Sequence, residues 1–274
     1  MSATGSSDVP NPSGPGPAAA NPGGAGPADG IGQFAGVVQW MRNLTPDIKH
    51  VRIVLQQPAR IAFHPGQTIR LQIPTPAGQK EVVRNYSFAN PPEDDRAVEL
   101  CIRYVGGPGT TYVFHTLQVG DQVQFRGPFG RFGLSAGQGP MIWIAGGSGV
   151  SPFWSMLRHM LNRGLRRDCR FFLGAARQHD LALREELEQL QTRVDWLRFI
   201  PVVAEPGGDD WTGQVGLVTD VVDRQVASGD PAEAYVCGPP GLIDSAVKVL
   251  SAKGFGPERI FMDKFLTHEP ARPA

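Results

Sequence analysis

"MIWIAGGSGVSPFWSML", Met141 to Leu157, runs from an apolar strand through Gly146, Gly147 and Gly149 into a helical pattern. Glycines let a backbone approach a ligand closely, and a helix starting just beyond them offers unpaired N–H groups and the positive end of its dipole to an anion. The sequence predicts that this helix starts at Pro152, with Ser151 as its N-cap. Gly146, Gly147, Gly149, Ser151 and Pro152 are therefore candidate phosphate-binding positions. Their spacing is not the G-x-G-x-x-G of the dinucleotide fingerprint, so taken alone the loop suits a tight strand-to-helix turn equally well.

Toward the C-terminus the apolar runs "CRFFLGA", "LRFIPVVA" and "AYVCG" alternate with the helical stretches "PFWSMLRHMLNRG", "DLALREELEQLQ" and "LIDSAVKVLSAKG". That alternation predicts a parallel, doubly wound sheet. The fourth run, "AYVCG", again leads through a loop, Cys237, Gly238, Pro239 and Pro240, into a helix. If its strand neighbours the first, both loops open at the sheet's carboxyl edge, where such sheets hold ligands. Cys237 reads first as a small buried apolar residue; its place at a strand end makes it a candidate for chemistry.

Toward the N-terminus the texture changes. "FAGVVQWMRNL", "HVRIVL", "TIRLQI", "EVVRNYSF", "VELCIRYV" and "QVQFRG" imply six strands, separated by turn signals such as "FHPGQ" and "NPPEDD". This spacing predicts an antiparallel barrel or sandwich, with the boundary to the parallel sheet near Leu134 to Gln138. Within "RNYSFANPPE" a strand would put Arg84 and Tyr86 on one face and Ser87 on the other. That trio offers a cation, a flat ring and a hydrogen-bonding edge.

The chain has 274 residues, enough for two domains, and its 26 basic and 26 acidic residues balance, which gives no surface excess for nucleic acid. Cys101, Cys169 and Cys237 lie far apart, whereas a [2Fe–2S] centre takes four thiolates, so no such centre of its own is expected. The odd count suits free thiols in a reducing, cytoplasmic setting. The six histidines lack metal-ligand spacing, and no metal site is assigned. No window approaches the roughly 18 to 20 apolar residues of a membrane span, so a soluble protein is expected. The first thirty residues, rich in Gly, Pro and Ala, lack the n- and h-regions of a signal peptide and read as a disordered tail.

In order along the chain, "RNYSFA", "GGPGTTYVF", "GPFGRF", "GGSGVSP", "YVCGPPG" and "ERIFMDKF" resemble the linked motifs of the ferredoxin–NADP reductase superfamily. The likeness covers Gln33 to Leu266 and looks greatest to the flavin module in the F subunit of the sodium-translocating NADH:quinone reductase and in multicomponent oxygenase reductases. It implies a β plus α/β fold: a six-stranded antiparallel flavin-binding barrel followed by a doubly wound parallel-sheet nicotinamide-binding domain. The expected divisions are a tail over 1–32, the FAD-binding barrel over 33–136, the NAD(P)-binding domain over 137–266 and a C-terminal tail over 267–274.

The resemblance also assigns roles. Arg84 would pair with flavin phosphate, Tyr86 would pack on the ring system or ribityl chain, and Ser87 would face N5. Gly107, with Thr110 or Thr111, matches the second flavin loop that holds the pyrophosphate. Phe129 or Phe132 would lie beside the adenine, or else in the barrel core. Cys237 and Gly238, followed by Pro239, would lie near the nicotinamide, with the thiol orienting C4. Phe265 matches an aromatic that shields the flavin face, or else a buried aromatic of the last strand. Arg177, after the second parallel strand, would meet a 2′-phosphate, yet also occurs in NADH-using relatives; NADH is expected over NADPH. The implied activity is an FAD-dependent NADH oxidoreductase that passes electrons to a separate ferredoxin-like or oxygenase component. The alternatives are a non-catalytic flavin- or nucleotide-binding interaction subunit and a stand-alone reductase of quinones, oxygen or free flavin. The chain departs from those relatives in carrying neither their iron–sulfur domain nor the membrane anchor of the quinone reductase subunit, and in continuing past Phe265.

Overall fold

A computed structural model describes residues 30–75, 82–208 and 210–264. The predicted N-terminal tail up to residue 29, Phe265 and the C-terminal tail lie outside the described residues. The first sheet comprises β1 (Gly32–Thr45), β2 (Ile48–Gln57), β3 (Thr68–Ile73), β4 (Val82–Ser87), β5 (Ala97–Arg103) and β6 (Gln122–Phe129). All pairings are antiparallel, in the order β4-β3-β6-β1-β2-β5. Alternation decides the faces. Ile69, Leu71 and Ile73 of β3 and Val123 and Phe125 of β6 point inward, while Arg70, Gln122, Gln124 and Arg126 remain outside. The sheet curls around Phe34, Val38, Ile53, Phe88 and Phe125 as a half-barrel.

The six strands match the six apolar runs of the sequence. The segment read as a flavin loop, however, is a helix, α1 (Gly107–His115), which packs against β3, β4 and β5 and so spans the gap between the sheet's two edges. Pro108 suits its first turn, where a missing N–H costs nothing, and Val113 is buried in the barrel.

The second sheet is built from β7 (Met141–Gly146), α2 (Val150–Arg163), β8 (Cys169–Ala175), α3 (Arg184–Arg193), β9 (Leu197–Val203), β10 (Gln214–Val215), α4 (Val218–Gln225), β11 (Glu233–Gly238), α5 (Pro240–Ala252) and β12 (Ile260–Lys264). Its strands are parallel, in the order β10-β9-β8-β7-β11-β12. The short β10 and α4 are not evident in the apolar pattern. β7 is buried throughout because both faces are covered. Trp143 packs with Phe153 and Met156 of α2 and Leu187 of α3, whereas Ile142 and Ile144 pack with Val221 of α4 and Ile243 of α5. β7 and β11 are neighbours at the point where the chain order reverses, so the two glycine-bearing loops emerge side by side.

Between the sheets, the connector is fastened to the second. The Ser135 N–H donates to Tyr235 Oη at 3.1 Å, and Arg167 donates to both Gly139 O and Glu233 Oε2.

One face of α2 ties the halves together. Ser151 Oγ donates to Ser87 O at 2.9 Å, Ser155 Oγ to Asn90 O at 2.6 Å, and Arg158 to Glu99 Oε2 at 2.6 Å. These positions are spaced i, i+4 and i+7, a single helical stripe. This corrects the expected helix start. α2 begins at Val150, after a 3₁₀ turn over Gly147–Gly149, and Gly149 is its N-cap without a side-chain bond. Ser151 lies one residue inside the helix, with its buried hydroxyl bonded to a carbonyl of the other sheet.

Candidate functional site

β4 and α1 build the first part of the site. Arg84 lies across Gly109, where a Cβ would come within 2.9 Å of Arg84 Cγ, so glycine makes room for the guanidinium beside the helix. Of that guanidinium's donors, Nη1 bonds the Val83 carbonyl at 2.9 Å. α1 has no side-chain cap and no acidic residue in its first turn. Its orphan N–H groups and the arginine can together receive an anion. Thr110 Oγ1 is buried and donates to Gly106 O at 2.8 Å, while Thr111 is exposed, so of the two threonines Thr111 has the accessible side chain.

Tyr86 packs against the barrel core with its hydroxyl buried and without a hydrogen-bond partner among the described residues. Burial pushes that phenol up to about 12, while the charge of Arg84 pulls the other way. A buried orphan hydroxyl beside groups that can receive an anion fits a bound group that brings both an acceptor and phosphates. Among the described residues, no cluster of three or more His, Cys, Asp or Glu could hold a metal ion.

The second part is the β7 and β11 loop pair. A Cβ on Gly149 would sit 2.3 Å from Cys237 O, so the two loops touch main chain to main chain. α2 also lacks a side-chain cap and an acidic first turn. Gly146 closes β7, Gly147 opens the 3₁₀ turn and Pro152 lies in the first turn of α2; Gly238 ends β11 and Pro239 caps α5. Cys237 is fully buried, which holds its thiol well above the usual range, with Asp263 adding to the effect; the sulfur is a neutral thiol.

Where the halves meet stands a carboxylate the sequence reading did not single out. Asp263 of β12 is in register with Cys237, and Ser87 Oγ donates to its Oδ2 at 3.3 Å. Burial pushes Asp263 up to about 6, against the pull of the Ser87 hydrogen bond. The available signal was the lone acid of the terminal strand, "RIFMDKF". Ser87, Cys237 and Asp263 are thus brought together by strands distant in sequence.

Other expected positions lie further out. The Arg70 guanidinium sits 4.1 Å from the centre of the Phe129 ring at the barrel rim, whereas Phe132 is buried against Phe153 and Tyr235 in the core of the second sheet. Arg177 is exposed beyond β8, with Nε 3.5 Å from Glu205 Oε2. Glu205 is a second residue absent from the sequence reading.

Residues 36–133 match the oxidoreductase FAD-binding domain family, and residues 143–248 match the oxidoreductase NAD-binding domain family. The xylene/toluene monooxygenase electron transfer component of Pseudomonas putida is 32% identical, over 87% of this chain and 67% of its own. The phenol 2-monooxygenase reductase component of Pseudomonas sp. strain CF600 is 35% identical, over 86% and 67%. The chain thus spans about two thirds of the length of these relatives. Among solved structures, the Amycolatopsis cytochrome P450 reductase superposes with a TM-score of 0.76 at 27% identity, covering 86% of this chain and 70% of that one.

Proposed function

Because the chain belongs to the ferredoxin–NADP reductase superfamily and is an FAD- and NAD-binding oxidoreductase, we propose that it takes hydride from NADH and delivers electrons to a separate one-electron acceptor protein. The relatives named as electron transfer and reductase components of oxygenases support that direction of flow. The observation that carries the reading is the junction itself: a flavin-type cradle and a nucleotide-type loop pair converge on Ser87, Cys237 and Asp263.

FAD, when bound, supplies acceptance of an electron pair and its release as single electrons. The chain's own residues do the positioning. Arg84 and the α1 N-terminus would hold the pyrophosphate, with Thr111 at its exposed side, and Tyr86 would donate its orphan hydroxyl. The α2 N-terminus would hold the nicotinamide cofactor's phosphates, bringing its reactive ring to Cys237 and Gly238, where the neutral thiol acts by shape and weak hydrogen bonding. Ser87 Oγ with Asp263 Oδ2 behind it gives a proton a two-residue path out of the junction. By resemblance alone, Phe265 is the candidate for the aromatic that shields the flavin face.

NADH is favoured over NADPH because Glu205 occupies Arg177 and places a negative charge where a 2′-phosphate would come. The unpaired, buried thiols suit a reducing cytoplasm. The test is an anaerobic titration of the flavin-loaded protein with NADH and, separately, NADPH, followed by the visible spectrum. Bleaching by NADH at lower concentration is expected; a protein that retains no flavin or is not bleached by either cofactor refutes the reading.

A further inference from the structure

On β2 a lysine stands where the alternation of the first sheet calls for an apolar residue. Val51, Ile53 and Leu55 point into the half-barrel, and Lys49 shares their face. Its partner on β5 is Ile102, itself buried in that core. A half-buried cation at such a position costs free energy unless it finds a complement, and no carboxylate of the described residues pairs with it. Lys49 Nζ instead donates to Phe114 O at 3.0 Å and to Val113 O at 3.5 Å, and lies 4.9 Å from the centre of the Phe114 ring.

Both carbonyls belong to the last turn of α1. A helix leaves its final four C=O groups without partners inside it, and that end is partly negative. In α1 the Tyr112 carbonyl accepts from the N–H groups of Thr116 and Leu117, and Lys49 serves the next two. His115, the basic residue in the helix's own last turn, sets its ring edgewise to Tyr104, with centroids 5.7 Å apart. α1 is nine residues long, about 13 Å. Lys49 therefore holds one end of a short rod whose other end presents the orphan N–H groups beside Arg84.

We propose that Lys49 is a positioning residue for the flavin pyrophosphate, acting through α1. The proposal rests on the function given above, in which the α1 N-terminus and Arg84 receive those phosphates. A helix this short depends on tertiary contacts for its stability, so pinning its far end to β2 fixes the axis along which its first N–H groups point. The cation also covers the negative end of the helix dipole, which leaves the positive end the stronger for an anion. Lys49 exerts both effects from the opposite end of the helix.

Wild type, Lys49→Met, Lys49→Gln and Lys49→Arg are compared by equilibrium dialysis against FAD, and the FAD-loaded proteins by phosphorus NMR and visible absorption. Methionine suits a core-facing position and keeps the side chain's length, so the Met variant removes the donor with little change in packing. Glutamine keeps a donor without the charge and carries the test should the Met variant not fold. The Met variant should bind FAD about five- to tenfold more weakly, the Gln variant should lose less, and the Arg variant should stay within about twofold of wild type. In the Met variant the pyrophosphate resonances of bound FAD should shift while the flavin's visible band keeps its wild-type position, because only the phosphate end is displaced. Unchanged FAD affinity in the Met and Gln variants overturns the proposal and leaves the proposed function intact. Weaker binding with unmoved phosphate resonances also overturns it, since Lys49 would then serve stability alone, and so does an Arg variant as weak as the Met variant. A wild type that binds no FAD removes the functional reading, and the role of Lys49 with it.

Discussion

At the scale of residues, the function proposed above divides the site's work between a phosphate grip at Arg84 and the buried carboxylate of Asp263. Arg84→Ala removes a charge-assisted partner worth roughly 1.5 to 3 kcal/mol, so flavin affinity should fall about ten- to a hundredfold; equilibrium dialysis against FAD measures it. Asp263 sets a pH dependence. Its value in the folded protein, about 6, stands above the ordinary 3.8, so the fold favours the protonated acid. That contribution is complete below pH 3.8 and is lost as pH rises through 6. Asp263→Asn stays neutral throughout. Relative to wild type it should therefore gain about 2 to 3 kcal/mol of stability between pH 4 and pH 7.5, read from urea denaturation of the flavin-loaded proteins at both pH values. An equal difference at the two pH values would refute the assignment. Arg84, Tyr86 and Ser87 were legible in the sequence because they fall within one short strand whose alternation is local. Asp263 was not, since its partners Cys237 and Ser87 reach it only through the β11–β12 register and the packing of two sheets.

At the scale of elements, the stripe on α2 carries most of the news. Ser155 Oγ supplies a donor to the buried Asn90 carbonyl, and Asn90 in turn receives the Glu99 N–H and gives its own amide hydrogens to the Asp94 and Ala97 carbonyls. Ser155→Ala leaves that carbonyl without this donor and should cost about 1 to 2 kcal/mol; a shift of the urea midpoint at unchanged slope is the expected sign. Glu99 is buried, which opposes its charge, yet the His50 ring, with Nε2 3.3 Å from Glu99 Oε2, and the charge of Arg158 hold it down to about 2. The six strands of the first sheet, β7, β8, β9 and β11 of the second and the long helices were readable from periodicity alone, whereas β10 and β12 were not. α1 was not, because its glycine-rich opening carries the signature of a turn. Ser151 was misread as a cap because, in sequence, nothing announces the carbonyl of Ser87 as a better partner than its own helix.

Taken whole, the molecule places the cofactor's adenosine end, by the reading above, at the far carboxyl edge of the second sheet, where Arg177 and Glu205 face each other. Glu205→Gln should raise kcat/KM for NADPH about fivefold with little change for NADH, since an exposed charge at such a distance is worth about 1 kcal/mol; steady-state kinetics with both cofactors decide it. Two sheets in sequence-separate halves invite the idea that they could be exchanged between proteins like cassettes, joined at the connector before β7, although Ile48, Ala89 and Cys101 of the first half belong to the core of the second. The α2 stripe states the condition for such a graft. Two of its three contacts end on main-chain carbonyls, which any first sheet of the same shape supplies whatever its sequence. Within the stripe only the third, Arg158 to Glu99, requires a particular side chain; beyond it Ser87 with Asp263, Arg42 with Glu186 and Glu93 with Arg163 add side-chain pairs across the seam. A chimera that keeps a carboxylate at that position of β5 should seat the α2 stripe, and one that places a neutral residue there leaves Arg158 facing an unmatched surface.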